Sequence, residues 1–179
     1  MNPAPNLVLV GPMGAGKTSI GKRLAERLGL RFVDADHRLE EITGAPVPLI
    51  FECEGEAGFR VRESQLIAEL MQGRGQLVAT GGGAVLSPAN RRLLRAHGFV
   101  VYLKVSVGQQ LERLARDRSR PLLATDDKHA RLESLAAVRN TLYEEIADLV
   151  FDSDGLAVTS AADRLGAMLD SHWQRGAAA

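Results

Sequence analysis

The chain has 179 residues, and its 22 Lys+Arg balance its 22 Asp+Glu, so the formal net charge is zero. That length suits one domain of an ordinary globular protein, at 45 % hydrophobic and 25 % charged residues, and the charge balance argues against a protein that coats nucleic acid. A lone cysteine, Cys53, excludes a disulfide framework and a cysteine-based metal site, and no apolar run nears the ~18–20 residues of a membrane span. The opening MNPAPNLVLV lacks the basic and apolar regions of a signal peptide, so a cytoplasmic location is expected.

Residues 6–10 (NLVLV) form a nearly continuous apolar run that reads as a strand buried on both faces. Apolar positions 20, 24, 25 and 28 then follow a helical spacing over 19–28, and Gly29 stops it. A second strand is expected at 30–33, ending on Asp34 and Asp36, and a mostly helical stretch from 37 to 71 is broken by Pro46, Pro48, Gly55 and Gly58. Residues 77–80 (LVAT) read as a third strand, followed at once by Gly81, Gly82 and Gly83. A helix over 88–97 follows, with Ser87 as its cap and Pro88 in its first turn. Residues 99–105 (FVVYLKV) are the clearest strand, 107–116 are helical, and 117–128 turn polar around Pro121. The longest helical pattern covers 129–146, a fifth strand 149–152 and a last amphipathic helix 161–172, while a tail at 174–179 is expected to be disordered from 176 onward.

Five short apolar strands alternating with helices predict a three-layer α/β domain, a parallel sheet flanked by helices on both faces. Ligands of such sheets bind at the carboxyl ends of the strands. The chemically unusual residues fall there: GPMGAGKT after the first strand, Asp34 and Asp36 after the second, the glycine triplet after the third.

Gly11-Pro-Met-Gly-Ala-Gly-Lys17-Thr18 matches G-x-x-x-x-G-K-[ST], the phosphate-binding loop, in the strand–loop–helix setting that the motif requires. Backbone N–H groups of such a loop point at phosphate oxygens, and the helix that follows adds its positive end. The motif assigns Gly14, Ala15, Gly16, Lys17, Thr18 and Ser19 to ATP, with Lys17 on the β- and γ-phosphates and the Thr18 hydroxyl on Mg²⁺. No D-x-x-G at a strand end and no N-K-x-D marks a GTPase, and the third strand ends in glycines where a motor ATPase carries an acid. A kinase acting on a small molecule is the expectation, with ATP and Mg²⁺ as its nucleotide and metal.

In six ordered segments the sequence resembles the shikimate kinase family, over about residues 6–172: GPMGAGKTSIGKRLA, FVDADHRLEEITG, IFECEGEAGFRVRE, ATGGGAV, RPLL and VRNTLYEEIAD. The resemblance implies a nucleoside monophosphate kinase-like fold, a single domain over 1–179 with a substrate-binding segment at about 34–63 and a mobile lid at about 113–128, and the phosphorylation of shikimate by ATP. It implies that Asp36 binds the acceptor hydroxyls and is the candidate base, and that Asp34 holds Mg²⁺ through water. Arg60 and Arg139 match the two arginines that clamp the shikimate carboxylate, and Glu63 is placed to orient both. Gly81, Gly82 and Gly83 match the substrate-contacting triplet, Phe51 and Phe59 the aromatic positions beside the substrate ring, and Arg120 the lid arginine of the transferring phosphate. Arg113 falls where the family flanks the adenine. The family's Asn-Arg type loop is replaced by Ser153-Asp154-Gly155-Leu156, which puts an arginine contact from that loop to the adenine in doubt.

Residue type alone leaves other readings open. Arg60 and Arg139 also read as solvated helix charges, Asp34 and Asp36 as helix caps, and the triplet as a tight turn. Of the 22 cations 18 are arginine, from base composition or from bidentate grip on anions. His37, His97, His129 and His172 have no ligand spacing and read as surface residues. A gluconate kinase, or a nucleotide switch that phosphorylates no metabolite, are the alternatives to shikimate phosphorylation. Partners are expected to be ATP and shikimate, without nucleic acid or membrane, acting on a monomer.

Overall fold

The run NLVLV forms β1 (Asn6–Val10), buried at every residue, at the centre of a five-stranded parallel sheet. The computed structural model describes residues 3–117 and 119–174, so the expected tail beyond Gln174 and Arg118 of the basic run lie outside the described residues. The other strands are β2 (Arg31–Asp34), β3 (Gln76–Ala79), β4 (Gly98–Lys104) and β5 (Leu149–Asp152), in the order β2-β3-β1-β4-β5. Among the described residues seven α-helices connect and cover them: α1 (Lys17–Leu28), α2 (Ala35–Thr43), α3 (Val47–Leu70), α4 (Pro88–His97), α5 (Val107–Leu114), α6 (Lys128–Ile146) and α7 (Val158–His172).

Alternation along β1 and β4 sends side chains to opposite faces and so builds two cores. Leu7, Leu9, Val101 and Leu103 pack against Leu24 of α1 and Leu165 and Leu169 of α7. Val8, Val10, Val100 and Tyr102 pack against Phe59 and Ile67 of α3, Leu94 of α4 and Tyr143 and Ile146 of α6. A third, small cluster joins Leu114, Leu123 and Leu132, with Met13 of the phosphate loop against it.

Several expected boundaries move, each for a local reason. Helix α1 begins at Lys17 rather than 19, because Gly16 takes the left-handed φ of 92° and caps it. The first turn of α7 starts at Val158 rather than 161; it is exposed, so no apolar periodicity marks it. Pro48 and Gly58 do not interrupt α3. Pro48 falls in the first turn, where its missing N–H is not needed, and Gly58 is helical. Gly55 does break it, at φ 69° and ψ 178°, so α6 is the longest uninterrupted helix, as expected. Ser87 caps α4 as expected, accepting from Asn90 N–H at 3.3 Å. All four histidines are exposed.

The strand starts are held by one polar residue. Asn6 is fully buried, donates from Nδ2 to the carbonyls of Gly73 (2.8 Å) and His97 (3.2 Å), and accepts from Gln76 N–H. It therefore ties β1 to the turns that lead into β3 and β4. Asn6→Ala should lower stability by about 2–3 kcal/mol in urea unfolding with an unchanged m-value, since it strands buried partners. A loss under about 0.5 kcal/mol would contradict this.

Candidate active site

At the carboxyl ends of the strands, where the strand order reverses on either side of β1, lies a cleft of about 1100 Å³. Its floor is the phosphate loop. Gly11 leaves β1 at φ 147°, and a Cβ there would stand 2.5 Å from the Leu103 carbonyl oxygen of β4, so only glycine fits. Gly16 caps α1 with no side chain, which leaves the first N–H groups of the helix pointing at the cleft as an anion site. Lys17 Nζ curls back and donates to the carbonyls of Gly11 (2.7 Å) and Pro12 (2.9 Å). Burial, followed by the nearby Arg120 charge, lowers its pKa to about 8.

Asp34 ends β2 and does two things. Its Oδ1 accepts from His37 N–H and caps α2, while its Oδ2 accepts from the Thr18 hydroxyl at 2.5 Å. The cap reading therefore holds for Asp34, and the two side chains assigned to Mg²⁺ stand side by side. Two hard oxygens beside a phosphate cradle suit a magnesium ion bound mainly through phosphate and water. Among the described residues there is no group of three or more His, Cys, Asp or Glu side chains that could hold a metal by itself.

Asp36, in the first turn of α2, is turned into the cleft rather than used as a cap. Its Oδ1 is buried without a protein hydrogen bond, and Arg120 Nη1 lies 3.8 Å from its Oδ2. Burial, then the adjacent Asp34 charge, raises its pKa above the usual aspartate value. Arg120 also pairs with Asp117 through Nε at 3.3 Å. Arg120, the expected lid arginine, thus lines the cleft between Asp36 and Asp117.

The opposite wall comes from α3. Beyond the Gly55 break, Arg60 donates to Glu63 at 2.9 Å and to Glu56 at 3.1 Å, and its guanidinium stands 5.2 Å from the Phe59 ring centroid. Phe51 and Phe59 come from either side of the break, with ring centroids 4.6 Å apart. Glu63 is 1 % exposed, and burial raises its pKa. Arg60 Nε and Glu63 Oε2 are buried without protein partners. A Cβ on Gly83 would collide with the Arg60 guanidinium, and one on Gly81 would stand 2.8 Å from Asp36 Oδ1 and 2.7 Å from Glu63 Oε2. The triplet is therefore more than a turn, because its missing side chains leave room for these charged groups.

Arg139 of α6 closes the wall. At 4 % exposure it is no solvated charge, and burial lowers its pKa from the usual arginine value. Glu63, expected to orient both arginines, bonds Arg60 directly and reaches Arg139 through the attraction of opposite charges, with no hydrogen bond to it among the described residues. Glu63 Oε1 is taken by Arg60 and its Oε2 has no partner, whereas Arg139 lies against the Tyr143 hydroxyl. Tyr143 donates in turn to the Gly82 carbonyl at 2.5 Å. The sequence reading missed Tyr143, although its position one turn after Arg139 on α6 is a visible signal.

Arg113 borders the cleft and is committed to backbone carbonyls. It donates to Gly14 O at 2.8 Å and Ser153 O at 2.9 Å, and buried Ser153 bonds Ala15 O at 3.2 Å. The Ser153-Asp154-Gly155-Leu156 loop is thereby stitched to the phosphate loop.

A phosphate cradle facing a carboxylate, a buried arginine and a half-buried one defines a P-loop kinase of a small anionic acceptor. The family model described as "Shikimate kinase" matches residues 13–170. A "Shikimate kinase" of Stenotrophomonas maltophilia (strain R551-3) is 57 % identical over 175 residues, spanning 98 % of this chain and 97 % of the relative. One from Xanthomonas euvesicatoria pv. vesicatoria (strain 85-10) is 52 % identical over 174 residues, spanning 97 % of each. The solved "Shikimate kinase from Acinetobacter baumannii in complex with shikimate" superposes with a TM-score of 0.91 at 44 % identity over 95 % of both chains. The chain belongs to the shikimate kinase family.

The raised Asp36 pKa has a consequence for stability. The folded state binds the Asp36 proton more tightly than the unfolded chain does, so ionised Asp36 costs stability above its folded pKa, and this cost disappears below the unfolded value of 3.8. Asp36→Asn should therefore melt at a higher temperature than the parent at pH 7, with the gap closing as pH falls through the raised folded pKa and gone once pH is below 3.8. A variant that melts lower at pH 7 would contradict the assignment.

Proposed function

We propose that this chain transfers the γ-phosphoryl group of ATP to the 3-hydroxyl of shikimate, giving shikimate 3-phosphate and ADP on the route to chorismate and the aromatic amino acids. Family membership supports the reaction. The observation that carries it to particular residues is the meeting of the phosphate loop, Asp36, Arg60 and Arg139 around one cleft.

Phosphoryl transfer asks a protein for positioning and charge neutralisation rather than for covalent chemistry. The N–H groups between Gly14 and Ser19 hold the ATP phosphates, and Lys17 exchanges the Gly11 and Pro12 carbonyls for β- and γ-phosphate oxygens. Thr18 and Asp34 would hold Mg²⁺, which when bound neutralises phosphate charge. Arg120 turns from Asp36 and Asp117 to the phosphoryl group in transfer, as part of a lid over about 113–128. Arg113 keeps the loop carbonyls fixed beside the nucleotide.

Arg60 and Arg139 grip the acceptor carboxylate through planar, paired donors, while Phe51 and Phe59 flank the ring and the Gly81–Gly83 backbone contacts it. Glu63 holds Arg60 in that pose. Fixing the carboxylate fixes which hydroxyl points at the γ-phosphorus. Asp36 takes the proton of that hydroxyl as the new O–P bond forms and the bond from γ-phosphorus to the ADP oxygen breaks. Its raised pKa makes it a better acceptor than a free aspartate. The acceptor segment of about 34–63, the lid and the phosphate loop all come from one chain, so a monomer suffices. Among the described residues no helix is long and apolar enough to cross a membrane, and we place the reaction in the cytoplasm, where ATP is supplied.

ADP release in the presence of ATP and Mg²⁺ tests this. Shikimate should stimulate it strongly, gluconate should leave it at the acceptor-free background, and Lys17→Met should abolish it. An absence of stimulation by shikimate would contradict the proposal.

A further inference from the structure

Tyr143 is 1 % exposed and stands one turn after Arg139 on α6. Its ring is fixed from behind by Tyr102 of β4, with centroids 5.1 Å apart and an interplanar angle of 31°. Its hydroxyl has one proton, and that proton goes to the Gly82 carbonyl. The oxygen's lone pairs face the Arg139 guanidinium, whose Nη1 lies 3.5 Å from where a Gly82 Cβ would stand. Burial pushes the Tyr143 pKa well above the ordinary tyrosine value, so the hydroxyl stays a neutral donor across the working pH range.

One side chain therefore touches two elements of the acceptor wall that are 57 residues apart in sequence, counting from Gly82 to Arg139. Holding the Gly82 carbonyl also sets the plane of the Gly82–Gly83 peptide. Since that peptide is trans, the Gly83 N–H points away from the oxygen that Tyr143 holds. Accepting from Arg139 turns the guanidinium plane, and planarity is what a paired grip on a carboxylate requires.

We propose that Tyr143 is a positioning residue for acceptor recognition, acting through Arg139 and Gly82 and touching neither ATP nor the reacting atoms. The proposal rests on the shikimate reading above and deepens it. Removing the hydroxyl keeps the ring packing on Tyr102 and loosens only the aim of the two contacts. The loss therefore belongs to the acceptor and not to the nucleotide.

In Tyr143→Phe the KM for shikimate should rise about tenfold, as for loss of a buried hydrogen bond in contact with a charged group, with the KM for ATP within about twofold of the parent. In an Arg139→Ala background the same change should add less than about twofold, because its main route of action is gone. Tyr102→Phe, which alters the packing partner alone, should leave the shikimate KM in place. A folded Tyr143→Phe with an unmoved shikimate KM, an equal rise in both KM values, or full additivity with Arg139→Ala would each overturn the assignment. Should Tyr143→Phe fail to fold, 3-fluorotyrosine labelling gives two ¹⁹F signals, one for each of the chain's two tyrosines, assigned with Tyr102→Phe. The Tyr143 signal should move on adding shikimate and stay in place on adding ADP; the reverse would overturn the proposal. Parent turnover on shikimate separates the two levels. Its absence overturns the proposed function and this assignment together, whereas its presence with an unchanged variant overturns this assignment alone.

Discussion

Lys17, Asp36 and Arg139 each carry a charge where burial disfavours the ionised form, Arg139 within the wall and Lys17 and Asp36 half-buried on the cleft. Partial or full burial of an unpaired ion is unfavourable, so each of the three depends on charged or polar neighbours. They persist as a set because opposite charges are interleaved. Asp36 and Asp34 support Lys17, Arg120 faces Asp36, and Glu63 and Glu56 hold Arg60. The fold makes the set possible by bringing the ends of β1, β2 and β3 together at the point where the strand order reverses. In the proposed reaction anionic ligands complete it, because phosphate and carboxylate oxygens supply partners for cations that now lean on backbone carbonyls and neighbouring carboxylates.

The same constraint explains why the glycines stand where they do. Gly11 is pressed on the Leu103 carbonyl, so the phosphate loop cannot drift from the sheet, and Gly81 and Gly83 clear space for Asp36, Glu63 and Arg60. A methyl group at Gly83 would displace the guanidinium that the proposed clamp depends on. Packing and electrostatics are one problem in this cleft.

The architecture was legible because buried parallel strands write themselves as short apolar runs, and NLVLV and FVVYLKV could be little else. What escaped were polar helix ends. Lys17 and Thr18 open α1, and the exposed first turn of α7 has no apolar stripe, so both helices start earlier than periodicity suggests. Pro48 read as a breaker because a proline's effect depends on its place in the turn, and that place is set only once Pro46 is known to be the cap. Most of the site was legible too, since the phosphate loop and the strand-end acids are contiguous in sequence. The partner of Arg139 was not. Glu63 was the nearest acid by helical spacing to Arg60, and nothing in a linear chain shows that α6 carries its own orienting group in Tyr143. Nor does it show that Arg113 and Ser153 meet over Gly14 and Ala15.

Of the 18 arginines, Arg60, Arg120 and Arg139 stand at the cleft in positions that a lysine would fill poorly, since Arg60 and Arg139 offer planar paired donors and Arg120 spans two carboxylates. The central claim is that this clamp selects one hydroxyl of the acceptor by fixing its carboxylate. Proton–phosphorus correlation NMR of the product reads the outcome directly. A single phosphomonoester is expected, with its phosphorus coupled to the ring proton at the 3-position. A mixture of positional isomers, or phosphate on another hydroxyl, would contradict it.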